Sequence, residues 1–300
     1  DKAFSAIFQT AGTKVDANIF INNKNLPLTF QQFIKEPYHD KINTLNDIAQ
    51  WSELDISLKE EEVFLNGFTQ ALDTTNAYLK LLAHQQPVEN KIASILPSET
   101  AFFVCLGIPN LDIYLDDYRL YLDKTDRILE YTSALSDYNK TVGFNVHDLY
   151  RNIFFEEIAL VYASFDGIDS KDCWYIAMKN RGQSQTKQSF IDALDSYIKV
   201  NNLRKADFKQ SLKIDSEKSV DLFKMPAKGI NCALFGSLFS EVSDEYFAFI
   251  DEYVIFGASK EALSKFILAN IRNNLLQLDV SYRQFSNLLA SESNYFIYFN

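Results

Sequence analysis

Groups that usually announce chemistry are scarce in this chain. Its 300 residues hold three histidines, three cysteines, nine glycines and six prolines. His39, His84 and His147 lie far apart, each in a polar stretch or near a helix end. No two have metal-ligand spacing, so surface roles and no bound metal are expected. Cys105, Cys173 and Cys232 show no CxxC or Cys/His pattern. All three sit among apolar, strand-like neighbours, which predicts buried free thiols, and an odd count would leave one over in any disulfide framework. Glycine-rich phosphate loops are missing, so no cofactor is expected. Phe256-Gly257-Ala258-Ser259 lacks the second glycine of a nucleophile elbow, and Ser259 reads as a helix cap.

Long apolar runs are missing too. The longest, Ala101 to Ile108, has strand length, far below the ~18 residues that span a bilayer. Positive charge is in deficit: 29 Lys and Arg face 40 Asp and Glu, a net charge of −11. That balance disfavours nucleic acid as a partner. The exception, Lys199, Arg204, Lys205, Lys209 and Lys213, reads as a solvated helix-and-loop face. Few glycines and prolines beside 47% hydrophobic content, 16 Tyr and 25 Phe argue for packed, regular structure.

What is present is a repeated phrase. Val63-Phe64-Leu65-Asn66-Gly67-Phe68 leads to Ala77-Tyr78-Leu79-Lys80-Leu81-Leu82, and Tyr253-Val254-Ile255-Phe256-Gly257-Ala258 leads to the helix-like segment from Ser259 to Ile267. Each run has a strand-like partner before it. Leu54, Ile56 and Leu58 alternate with Asp55 and Ser57, the period of a half-buried strand, and Tyr246–Ile250 precedes Tyr253. A second phrase occurs at Ala17–Ile21, Ala101–Leu106 and Tyr295–Phe299. The predicted class is α+β, with antiparallel sheets built from repeated hairpin-plus-helix units. Pro87 to Pro97 marks the expected division into an N-terminal unit, 1–86, and a larger unit, 87–300, with 292–300 beginning a further unit that is cut off. With Asp1 at the start, the chain reads as a piece excised from a longer protein.

Further elements follow from the pattern. Phe4–Gln9 reads as a strand, Leu28–Ile34 as helical, and Glu60-Glu61-Glu62 as a solvated turn. Asn110 caps a helix, or two in a row, running to about Asn139. Ile158–Phe165 and Cys173–Lys179 form a strand pair. The aspartates between them lack EF-hand spacing and read as a hairpin loop. Thr186–Val200 is a helix, Val220–Phe223 and Ile230–Phe235 are strand-like, and Tyr282–Leu289 is helical. The carboxylate pairs Asp116/Asp117 and Glu156/Glu157 have the chemistry for acid–base work, but such neighbours are common in so acidic a chain. No catalytic residue is predicted.

Trp51-Ser52-Glu53-Leu54-Asp55-Ile56, Leu65-Asn66-Gly67-Phe68-Thr69, Ile95-Leu96-Pro97, Glu157-Ile158-Ala159-Leu160-Val161-Tyr162 and Ser293-Asn294-Tyr295-Phe296-Ile297-Tyr298 resemble an uncharacterised bacterial envelope family. The resemblance spans essentially the whole chain, and its motifs are structural. It implies a domain of unknown function, exported behind an N-terminal membrane or lipid anchor and usually followed by a propeller-like β domain. The expectation is therefore a non-catalytic envelope module that binds or assembles with protein or another envelope component and meets the membrane only through a segment outside this chain. The alternatives are a carboxylate-based hydrolase and a carrier of an apolar ligand. Convergent carboxylates in a pocket would mark the first, a closed apolar cavity the second, and an exposed apolar patch the assembly module.

Overall fold

Every strand pair among the described residues is antiparallel and helices are interspersed with hairpins, so the fold is α+β. The computed structural model of the protein describes residues 2–33, 35–36, 39, 48–59, 63–71, 77–214 and 219–300. It divides into two compact units, one of 1–84 with 116–127, the other of 85–115 with 128–300.

The first unit opens with helix α1, Lys2–Phe8, where a strand is expected. Ala3, Phe4, Ile7 and Phe8 recur at helical spacing, and one helical face brings the Phe4 ring to 5.0 Å from Trp51 and 5.6 Å from Phe20. Strand β1, Ala17–Asn22, is followed by helix α2, Leu26–Phe30, with Pro27 in its first turn. Ile34, the expected end of α2, lies outside the described residues. Strands β2, Trp51–Leu58, and β3, Val63–Gln70, form the expected hairpin, with Leu54 opposite Gly67 and Leu58 opposite Val63. The sheet order is β1-β2-β3. Glu60–Glu62 lies outside the described residues. The helix expected after this hairpin is a short 3₁₀ segment, Tyr78–Leu82.

The repeated glycine of the two hairpins has two causes. A Cβ on Gly67 would stand 1.8 Å from the Glu53 carbonyl oxygen, so only glycine lets β3 approach β2 there. A Cβ on Gly257 would meet the Tyr175 ring at 3.3 Å, a tight fit against a side chain.

The second unit runs through β4 (Val88–Glu89), β5 (Thr100–Gly107), α3 (Leu111–Lys124, whose second half belongs to the first unit), α4 (Ile128–Val142), α5 (Val146–Ile153), β6 (Phe154–Ala163), β7 (Trp174–Asn180), α6 (Gln183–Val200), β8 (Lys209–Lys213), β9 (Ser219–Lys224), α7 (Ile230–Phe235), β10 (Tyr246–Ile250), β11 (Tyr253–Gly257), α8 (Lys260–Ile271), α9 (Val280–Ser286), β12 (Glu292–Ser293) and β13 (Tyr295–Phe299). Eight strands form one sheet in the order β13-β5-β6-β7-β11-β10-β9-β8. One face, with Phe103, Ala159, Tyr175 and Ile255, packs with Ala262, Leu263 and Phe266 of α8. On the other, Phe190 of α6 meets Phe247 at 4.8 Å and Phe249 at 5.9 Å. The caps are as expected: the Ile113 amide donates to Asn110 Oδ1 at 3.1 Å, and the Ala262 amide to Ser259 Oγ at 3.3 Å.

A further expectation is corrected here. Ile230–Phe235 is a helix, bracketed by Gly229 at φ +80° and Gly236 at φ +98°, and it leaves Cys232 half-buried where full burial is expected. Tyr295–Phe299 is an edge strand paired with β5, Phe296 opposite Cys105.

Candidate functional site

The most unusual chemistry lies at a bulge in β6. Phe154 pairs with Asn180 and Ile158 with Met178, so Phe155, Glu156 and Glu157 stand against the single Lys179. Glu156 adopts φ +48°. Glu156 pairs with Lys179, while Glu157 accepts the hydroxyl of Tyr253 on β11 and lies 3.5 Å from the thiol of Cys105 on β5. The Lys179 ammonium stands 5.5 Å from the centre of the Phe155 ring. Burial pushes the Glu157 carboxyl above its ordinary range, and Tyr253, Lys179 and Cys105 pull it partway back. Burial, reinforced by Glu157, also pushes the Cys105 thiol and the Tyr253 hydroxyl up. Cys105 is therefore a protonated, poorly nucleophilic thiol.

An acid or base must come within hydrogen-bond reach of its substrate. Glu157 is only 1% exposed. A groove of about 480 Å³ near Lys91, Tyr282, Arg283 and Phe296 is not lined by it, nor is one of about 380 Å³ near Glu99, Lys265 and Arg272. The cluster ties β5, β6 and β11 together. A second buried carboxylate, Asp244, accepts from the Gly229 amide and from Asn231, whose Oδ1 accepts the Tyr150 hydroxyl at 2.8 Å. It closes the start of α7, and burial pushes it up. An apolar pocket lined by Tyr150, Phe190 and Ile230 holds about 20 Å³, roughly a single water.

The other residues singled out by sequence are dispersed. His84 Nδ1 meets Asp117 at 2.8 Å while Asp116 is exposed, and His147 Nε2 lies 2.9 Å from the Tyr131 hydroxyl. The aspartates of 166–172 sit in the β6–β7 connection. The basic stretch is interleaved with acids: Lys205 meets Asp195 at 2.7 Å, Arg204 Asp207 at 2.9 Å, and Lys209 Asp221 at 3.0 Å. Among the described residues no group of three His, Cys, Asp or Glu side chains is placed to hold a metal ion, and no helix is long and apolar enough to cross a membrane.

The three-stranded sheet of the first unit places two acidic side chains beside aromatic ones on one face and leaves much of an aliphatic face open. Helix α1 lies over the face that carries Trp51, Glu53 and Asp55. The Gly12 amide and the Asn18 side chain donate to Asp55 Oδ1 at 2.8 and 2.6 Å, and the Gly12 bond holds the Asp55 carboxyl below its ordinary range. Glu53 is 0% exposed, and burial followed by the neighbouring Asp55 pushes its carboxyl up. The opposite face aligns Ile19 with Leu54, and Ile56 and Leu58 with Leu65 and Val63. Leu58 is 62%, Val63 61% and Leu65 50% exposed. The alternation in β2 is the predicted one, but the side under α1 holds Glu53 and Asp55 beside Trp51, and the side of Leu58, Val63 and Leu65 is the open one.

A second open surface lies on the eight-stranded sheet. Phe102 stands 4.8 Å from Phe299 and 6.1 Å from Trp174, which is 4.9 Å from Tyr162. Phe299 is 74% exposed. Apolar alternation in β2 was the sequence signal for the first surface and the unbroken apolar run of β13 for the second, though neither says which face is covered.

The chain was compared with protein families, curated proteins and solved structures, and none of them matches it.

Proposed function

We propose that this chain is a non-catalytic binding and assembly module of a larger exported protein, and that the open apolar face of its three-stranded sheet docks a protein partner. The open aliphatic patch of this sheet carries this reading. A sheet with one face in water ordinarily shows polar side chains there. Here Glu53 is enclosed and Asp55 is held by Gly12 and Asn18 on one face, while on the other Leu58, Val63 and Leu65 are exposed beside half-buried Leu54 and Ile56. Covering such a face gains roughly 25 cal/mol per Å² of apolar surface, with few polar groups to desolvate. The enclosure of Glu157 and the raised Cys105 thiol support the non-catalytic part. An apolar pocket of only about 20 Å³ gives little support to a carrier. Placement in the bacterial cell envelope, behind an anchor, rests on the resemblance of segments such as Trp51–Ile56 and Ser293–Tyr298 to the envelope family.

Site-specific photo-crosslinking in cells making the full-length protein tests this. A crosslinker at Leu65 is expected to give a discrete protein adduct. One at Leu129, 81% exposed on α4, is expected to give none. No adduct from Leu65, or the same adducts from both positions, would overturn the reading.

A further inference from the structure

The two edges of the eight-stranded sheet are treated differently. Strand β8 reads Lys-Gln-Ser-Leu-Lys, and Lys209 and Lys213 guard that edge in the usual way. Strand β13 reads Tyr-Phe-Ile-Tyr-Phe, with no charge and no proline, and no strand among the described residues pairs with its outer side. The Gly107 amide donates to the Asn294 carbonyl at 2.8 Å, and the Asn300 amide to the Ala101 carbonyl at 2.9 Å. Antiparallel alternation then turns the backbone groups of Phe296 and Tyr298 toward β5, and those of Tyr295, Ile297 and Phe299 toward the free edge. Ile297 and Phe299 are also 43% and 74% exposed.

We infer that this edge pairs with the same edge of a second copy of the chain, about a two-fold axis at Ile297, to make one continuous antiparallel sheet. The register is self-complementary. With Ile297 opposite the partner's Ile297, Tyr295 meets the partner's Phe299, and each pair exchanges both backbone hydrogen bonds. Tyr295, Ile297 and Phe299 share the face that carries Phe102 and Trp174, so pairing joins two aromatic rows into one surface. An isologous contact consumes both unguarded edges, and the lysine-guarded β8 edges stop further growth, so assembly ends at a dimer. Each copy carries a net charge of −11, none of it on β13, so salt that screens repulsion beyond ~8 Å is expected to favour the dimer. This surface lies on a different sheet from the proposed docking face, and either proposal survives failure of the other.

Sedimentation velocity of the full chain across the micromolar range, at low and high salt, is the test. Wild type is expected to show a monomer–dimer equilibrium, several-fold tighter at high salt. Ile297→Lys is expected to be monomeric at every concentration with unchanged circular dichroism and thermal midpoint. Under mild oxidation Ile297→Cys is expected to form a disulfide-linked dimer that wild type does not form, while Phe299→Cys alone, facing the partner's Tyr295, lags behind it. A monomeric wild type, a dimer that Ile297→Lys leaves intact, open-ended assembly, or equally fast crosslinking of both cysteine variants would overturn the inference.

Discussion

The Tyr253 hydroxyl donates to Oε1 of Glu157, reaching from β11 past β7 to a carboxyl at the bulge of β6. The bond partly compensates a group that burial has pushed above its ordinary value of 4.5. A raised carboxyl favours the protonated form in the folded state, so its contribution to stability is intact below the unfolded value and falls as pH rises through the folded one.

Glu157→Gln removes that titration and keeps an acceptor for Tyr253. The stability of the variant relative to wild type is expected to increase between pH 4.5 and pH 8. Tyr253→Phe removes the donor and is expected to cost about 1–3 kcal/mol, with the larger loss at pH 8. Urea denaturation at several pH values measures both, and a pH-independent difference for Glu157→Gln would show that the carboxyl does not titrate as described.

Gly67→Ala places a methyl group against a backbone carbonyl that cannot swing away, whereas Gly257→Ala presses on the Tyr175 ring. Gly67→Ala is expected to break the local pairing of β2 with β3, seen as faster amide exchange at Glu53 and Asp55, whose backbone groups face β3. Gly257→Ala is expected to leave that hairpin intact and to lower the thermal midpoint through overpacking, at about 1–3 kcal/mol. Equal exchange at Glu53 in both variants would contradict the assignment.

The cysteines are all free, with Cys105 and Cys173 buried and Cys232 half-buried in α7. Thiol labelling of denatured, unreduced protein is expected to count three. In the native protein Cys232 is expected to react first, though slowly, since burial pushes its thiol up. Faster labelling of Cys105 would mean that its core opens.

Much of the architecture was legible because period and punctuation carry it. The Leu54–Leu58 and Tyr246–Ile250 hairpins, the Asn110 and Ser259 caps and the antiparallel α+β class follow from alternation and turn residues. Short apolar segments failed. Phe4–Gln9 and Ile230–Phe235 have the length and composition of strands, and only the flanking Gly229 and Gly236 hinted at a helix in the second case. The Glu157 cluster was invisible because it depends on a bulge that sets three residues against Lys179. In β2 alternation sorted residues onto two faces correctly, but period alone does not decide which face another element will cover.

The openness of that face is the core of this account, and methyl NMR of the isolated protein with a soluble neutral paramagnetic agent tests it most directly. The methyl signals of Leu58, Val63 and Leu65 are expected to broaden strongly, while those of the core residues Leu222 and Leu263 stay sharp. Leu58, Val63 and Leu65 methyls as protected as the core ones would contradict it.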